Sequence, residues 1–236
     1  MIIDPSTQNA AENYKLLIGS ILPRPIAWVS TLSEARVANL APISFFTAVG
    51  RKPPMISISL QPRSDGVTLK DTFVNIRDTG EFVVNVVNLD LAHAMHRSAF
   101  EFSSDVDEFT AIGLEKAQSA VVRPPRVKQS PIAMECKVER IIPIGDQGEH
   151  VVFGEVLRFQ IRDELYLDRG RIDTGALQAI GRLAAEYTLV QNAFTTPVDE
   201  QILSSLSRKR LGRLDGHEDG YSPIDSKSWS ASGATL

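Results

Sequence analysis

Ile56-Ser57-Ile58-Ser59-Leu60 alternates strictly between apolar and small polar positions, and Met134-Glu135-Cys136-Lys137-Val138-Glu139 does the same. A two-residue period puts alternate side chains on one face, so both stretches predict strands with one buried face. Ile26-Ala27-Trp28-Val29-Ser30-Thr31 is a short apolar run bounded by proline and polar residues, also strand-like. Phe82 to Val87 is β-branched and nearly continuous, as expected of a strand buried on both faces. The stretch from Val151 to Ile161 predicts another long strand, with Gly154 as a bulge.

Helical spacing is rarer. Leu69, Phe73 and Ile76 recur at four and three residues, with Gly80 just beyond as a C-cap. Leu89, Ala92, Met95 (or His96) and Ala99 predict a helix within Leu89 to Phe100, and Leu177, Ile180, Ala184 and Tyr187 predict a third. Strands and helices do not alternate regularly, which argues against a doubly wound parallel sheet. The reading is mainly β with helical insertions, as a mostly antiparallel barrel. Residues 100–129, with Pro124 and Pro125, read as a long connection. The division expected is one domain over 1–198 and a polar tail or arm over 199–236. Within that tail Ser207 to Leu214 is locally basic, an exposed helix face or an interaction segment.

Composition narrows the function classes. The 236 residues carry 25 Lys plus Arg against 29 Asp plus Glu, a net charge of −4. A net-acidic chain without a long basic block makes a poor general nucleic-acid binder. The lone Cys136 excludes an intramolecular disulfide and any Cys-based metal cage within one chain. The N-terminus has no basic region followed by an apolar one, and the uncharged stretch Val37 to Gly50 is too short and polar to span a bilayer. The expectation is a cytoplasmic protein without a membrane segment.

No P-loop, GxGxxG, GxSxG or HExxH pattern occurs. An enzyme of this composition would draw its chemistry from an organic cofactor. His93 and His96 sit three apart, but no further ligand has matching spacing, so they read as a surface helix and no metal is expected. The loop from Arg63 to Thr72 is richer. It follows the strand ending at Leu60 and opens the helix of Phe73 and Ile76, so free N–H groups and the helix dipole would face Arg63, Lys70 and the hydroxyls of Ser64, Thr68 and Thr72. That is the makeup of an anion site. The same residues also serve ordinary capping, and the residues alone leave both readings standing. Asn39 to Thr47 carries Pro42, so its strand must be an edge or a bulge. Its phenylalanines read as core or as a platform for a planar ligand, and Trp28 shares that ambiguity.

Together, Pro23 to Thr31 (PRPIAWVST), Asn39 to Val49 (NLAPISFFTAV), Pro53 to Leu60 (PPMISISL), Lys70 to Val87 (KDTFVNIRDTGEFVVNVV) and Ile180 to Tyr187 (IGRLAAEY) resemble the flavin reductase-like family, the FMN-binding split barrels. The resemblance spans roughly residues 14 to 190. It implies a six-stranded antiparallel split barrel, a homodimer, and FMN near the subunit interface, with FAD left open. It implies that Pro25, Ala27, Trp28, Val29 and Ser30 line the flavin ring. Asn39, Ser44, Phe45, Phe46 and Thr47 would flank the ring and ribityl chain. Arg63, Ser64, Lys70 and Thr72 would hold the phosphate, and Tyr187 matches the aromatic of a C-terminal segment. Ala184 and Ala185 stand where the family often has glycines, which puts close backbone approach there in doubt. No individual catalytic residue is implied. The activity implied is flavin reduction by NAD(P)H, as the reductase of a two-component monooxygenase in one version. The alternative is an FMN-binding electron carrier without that activity.

Overall fold

The computed structural model describes residues 1–168 and 170–191 of the chain. The expected tail, 199–236, lies outside the described residues, as does its basic stretch. Contacts divide the described residues into two units, 1–162 with 179–189, and 163–178 (without 169) with 190 and 191.

In the first unit α1 (Ala10–Ser20) precedes the short β1 (Arg24–Pro25), β2 (Ala27–Leu32), β3 (Ala38–Ile43), β4 (Phe46–Arg51) and β5 (Pro54–Leu60). After α2 (Asp71–Thr79) come β6 (Glu81–Val86), α3 (Ala92–Arg97), α4 (Glu108–Ile112), the small pair β7 (Lys116–Ala117) and β8 (Arg126–Val127), and the long β9 (Ile132–Ile144) and β10 (Glu149–Ile161). The second unit holds β11 (Tyr166–Leu167), β12 (Arg171–Ile172) and α5 (Thr174–Leu177) among its described residues. The first unit closes with β13 (Ile180–Arg182) and β14 (Tyr187–Leu189).

The main sheet has seven strands in the order β3-β2-β6-β9-β10-β5-β4, and every pairing is antiparallel. β3 and β4 stand at opposite edges of that order, yet only Ser44 and Phe45 separate them in the chain. The sheet must therefore curl until its edges meet, which makes it a split barrel. One chain stretch bent at that corner counts as two strands, which explains seven where six were expected. Pro42 sits on the edge strand, where its missing N–H costs no ladder bond.

The alternation of β5 is realised, with Ile56, Ile58 and Leu60 buried. They pack with Ala27, Val29, Phe73, Ile76, Phe82, Val84 and Val152 in one core. Trp28 points the other way, into a second core with Leu40, Met95, Phe109 and Ile112 under α3 and α4. Gly154 lies at a register shift between β9 and β10, and a Cβ there would fall 2.5 Å from Phe82 Cζ. The bulge thus gives the Phe82 ring its place.

α2 ends as expected, with Gly80 in the left-handed region at φ 71°. Three expectations are corrected. The helix over Leu89 to Phe100 is a 3-10 turn followed by α3, and it stops at Arg97 with Ser98 as C-cap. The long connection contains α4, capped by Asp107, whose side chain accepts from the Thr110 amide. The third predicted helix is instead the hairpin of β13 and β14, because the Ile180–Arg182 backbone pairs with β14 and, at Gly181 and Arg182, with β1. α1 was not foreseen; it opens on a reciprocal capping box between Asn9 and Glu12. Among the described residues no helix is long and apolar enough to cross a membrane.

Candidate functional site

Two adjoining cavities share Pro42 and Ala99 as common walls. The first, about 140 Å³, lies where β3, the 63–70 loop, the start of α2 and the segment after α3 meet. Arg63, Lys70, Asp71, Glu101 and Glu108 bring all its charge.

The loop is built by its own polar groups. Asp65 accepts from the amides of Val67 and Thr68 and from the Thr68 hydroxyl, and the Arg63 amide donates to the Thr68 carbonyl at 2.7 Å. Lys70 then stands at the N-cap of α2 with no side-chain cap bond. The Asp71 and Thr72 amides have no acceptor among the described residues, as expected of a helix start. The Lys70 ammonium is half-buried and makes no hydrogen bond or ion pair with a described residue. Burial lowers its pKa, and Glu101 partly opposes this. Arg63 is engaged: Nη2 donates to Asp71 at 2.5 Å and Nη1 to the Phe102 carbonyl at 3.0 Å.

Beneath the cavity runs a buried polar chain. The Glu108 carboxylate accepts from the Leu40 amide and, at 2.9 Å, from Asn39 Nδ2. Asn39 Oδ1 accepts from the hydroxyls of Thr72 at 2.8 Å and Thr31 at 3.3 Å. Asn75 Nδ2 donates to Thr31 Oγ1 at 2.9 Å. Burial pushes the Glu108 carboxyl up to about 7, with nearby Asp71 adding to the rise; its two donors and Arg63 oppose it.

The second cavity, about 190 Å³, contains no carboxylate in its lining. Arg24 is buried and fully engaged, donating to the carbonyls of Ile18, Ile21 and Leu183 and to Ser44 Oγ. Arg182 stacks 4.7 Å above the Tyr187 ring, whose hydroxyl is 3.0 Å from His96 Nδ1. The Arg182 guanidinium makes no ion pair with a described residue. Burial lowers the pKa of Arg24, and the charge of Arg182 adds to this.

The residues expected from the sequence therefore divide. Asn39, Arg63, Lys70 and Thr72 meet at the first cavity, and Ser44 and Tyr187 at the second. The Thr72 hydroxyl donates to Asn39 Oδ1 at 2.8 Å. Ser64 is exposed and lines neither cavity, but it is bonded to Glu101, which lines the first. Pro25 is exposed and pairs with Gly181. Ala27, Trp28, Val29 and Ser30 line neither cavity; all four are buried, Ala27 and Val29 in the first core and Trp28 in the second. Trp28 Nε1 donates to Ser98 Oγ at 2.8 Å and Ser30 Oγ to the Pro125 carbonyl at 2.6 Å. Phe45 packs near Tyr14, Phe46 against the first core, and Thr47 is exposed on β4. Sequence reasoning missed Glu101, Glu108, His96 and Arg182 as members of the site.

A family model described as "Flavin reductase like domain" matches residues 18–176. An uncharacterised protein of Halalkalibacterium halodurans is 42% identical over 192 residues, covering 79% of this chain and 91% of that protein. Among solved structures, nitrilotriacetate monooxygenase component B from Bacillus cereus superposes with a TM-score of 0.79 at 36% identity, over 83% of this chain and 98% of that one. The 2-nitrobenzoate 2-nitroreductase of Pseudomonas fluorescens gives 0.76 at 31% identity, over 84% and 96%. A Shewanella frigidimarina chain described as having a split barrel domain gives 0.72 at 20% identity, over 82% and 96%, and supports the fold alone.

Proposed function

This chain belongs to the flavin reductase-like family, and on that premise we propose that it is an FMN-binding oxidoreductase that reduces flavin at the expense of NAD(P)H. The observation that carries the reading is Lys70, a half-buried ammonium at the start of α2 without a bonded partner among the described residues. A cation drawn out of water is costly unless an anion completes it. Lys70, the open amides of Asp71 and Thr72, and the remaining N–H groups of Arg63 together suit a phosphate ester. The fit to FMN is thus good at the phosphate end.

Ser44, Arg182 and Tyr187 would border the ring, in the cavity that adjoins the first at Pro42 and Ala99. A flavin held there by these residues would supply the redox chemistry, as a hydride acceptor. The protein's part is to hold and orient it. Arg182, a cation in a cavity without carboxylates, favours negative charge on whatever occupies that space. Asn39 is locked by Thr31, Thr72 and Glu108, so its position is set before any ligand enters.

The similarity to a monooxygenase component B supports a role in which the electrons go to an oxygenase partner. The similarity to a nitroreductase supports direct reduction of an organic acceptor. Both require hydride entry, so one experiment serves them. Anaerobic titration of the flavin-loaded protein with NADH and then NADPH should bleach the flavin absorbance bands. If saturating nicotinamide leaves the bands intact, the electron-carrier reading replaces this one.

A homodimer is part of the proposal. α1 has no buried residue, yet Leu16, Leu17, Ile21 and Leu22 on and just beyond it are exposed. β4 is similarly bare, with Val49 exposed. An apolar helix without cover among the described residues of one protomer calls for a second protomer. Leu17→Arg should convert the dimer to monomer in sedimentation velocity while leaving the circular dichroism spectrum unchanged. A wild-type monomer would refute the proposal.

A further inference from the structure

The segment after α3 borders the first cavity through Ser98, Ala99, Phe100, Glu101 and Phe102. Its one carboxylate sits directly on the loop that the cavity presents. Glu101 Oε1 accepts from the Ser64 amide at 2.7 Å, and Oε2 accepts from the Ser64 hydroxyl at 2.8 Å. One residue later, the Phe102 carbonyl accepts from Arg63 Nη1 at 3.0 Å. The segment is thus pinned to the loop at two successive residues.

This arrangement has an unusual economy. Glu101 is exposed, and an exposed glutamate gains most entropy by waving in water. Here it gives both oxygens to a backbone amide and a hydroxyl of one residue. That is how a two-oxygen anion sits on a loop of donors. The charges agree: Arg63 and Lys70 both favour its ionised form, after the two Ser64 bonds that dominate. Lys70 has no bonded carboxylate among the described residues, and Glu101 is the acid that raises its pKa. A phosphate entering beside Lys70 would meet this carboxylate and the donors it already holds. Either the ester displaces Glu101 from Ser64, or it lies next to a like charge.

We propose that Glu101 is an internal competitor for the flavin phosphate and so a specificity-determining residue: its carboxylate holds the Ser64 donors until a phosphate ester takes them, which narrows the preference for FMN over riboflavin and keeps bound FMN exchangeable. The inference rests on the reading of this cavity as the flavin phosphate site. Riboflavin has no phosphate and leaves Glu101 in place. FMN binding includes the work of swinging Glu101 away, and FMN release is helped by its return.

The test compares dissociation constants of FMN and riboflavin, read from quenching of flavin fluorescence, across wild type, Glu101→Gln, Glu101→Ala and Lys70→Ala. Glu101→Gln keeps an oxygen for the Ser64 amide and removes only the charge, so loop order is preserved. FMN should tighten about tenfold or more in Glu101→Gln, with riboflavin within about twofold. The FMN release rate, measured by stopped flow, should slow correspondingly. Glu101→Ala should shift FMN in the same direction. Unchanged or weaker FMN binding in Glu101→Gln, with Lys70→Ala still selective against FMN, would show that Glu101 supports the loop and would end this inference alone. If Lys70→Ala weakens both flavins equally, the phosphate reading fails and this inference goes with it.

Discussion

Lys70→Ala is expected to raise the FMN dissociation constant by roughly 10- to 150-fold while leaving riboflavin nearly unaffected, because a charge-assisted hydrogen bond contributes about 1.5–3 kcal/mol. Lys70 is the cleanest probe of the cavity. Its ammonium makes no hydrogen bond or ion pair with a described residue, so truncating it removes no native contact of that kind. Arg63→Ala should also weaken FMN selectively, but it is a compound change. It frees the Asp71 carboxylate now held at 2.5 Å, adding an unpaired negative charge beside the ligand. It also releases the Phe102 carbonyl and loosens the segment that carries Glu101. Lys70→Met, which keeps most of the apolar stem, separates lost charge from lost packing. Equal weakening of both flavins would show that neither cation touches phosphate. The burial that lowers the Lys70 pKa adds a pH signature: FMN affinity should decline at a lower alkaline pH than an ordinary lysine would give.

The cations of this site were legible because a strand, a polar loop and a helix start follow one another in the chain. The carboxylates Glu101 and Glu108 of the same cavity were not. Glu101 bonds a residue 37 positions away and Glu108 one 68 positions away, so no local spacing records either contact. The strands were read correctly wherever burial follows a two-residue period, as in Ile56 to Leu60. The failure at the C-terminal end has the same origin as the success. Leu177, Ile180, Ala184 and Tyr187 mimic a helical period, but a Cβ at Gly181 would meet Pro23 at 2.9 Å. That close approach is what pairing with β1 requires, and tertiary contact overrides the local pattern. For Ala27 to Ser30, periodicity gave the strand and said nothing about its place in the sheet. The structure puts that strand inside the sheet, between β3 and β6.

Glu108 supplies the second large effect, on stability against pH. In the folded protein burial pushes its carboxyl up to about 7, against an ordinary value of 4.5. Between those values the native state holds a proton that the unfolded chain has released. Stability therefore falls as pH rises through this window and is flat in this group above about 7. At 1.36 kcal/mol per unit the loss is on the order of 3 kcal/mol. Asp71 faces Glu108 from α2 and works in the same direction; Arg63 faces it from the loop and, with the Leu40 and Asn39 donors, opposes it. Urea unfolding of the flavin-free protein at pH 5 and pH 8 should show wild type losing on the order of 3 kcal/mol more than Glu108→Gln between the two conditions. A parallel pH dependence in both proteins would mean that Glu108 ionises normally. The same proton bears on the ligand, because a phosphate in this cavity opposes ionisation of a carboxyl in its wall. FMN affinity in wild type relative to Glu108→Gln should therefore fall as pH rises from 6 to 8. Taking the ratio of the two proteins cancels the titration of the phosphate itself, which leaves the buried carboxyl as the group that responds.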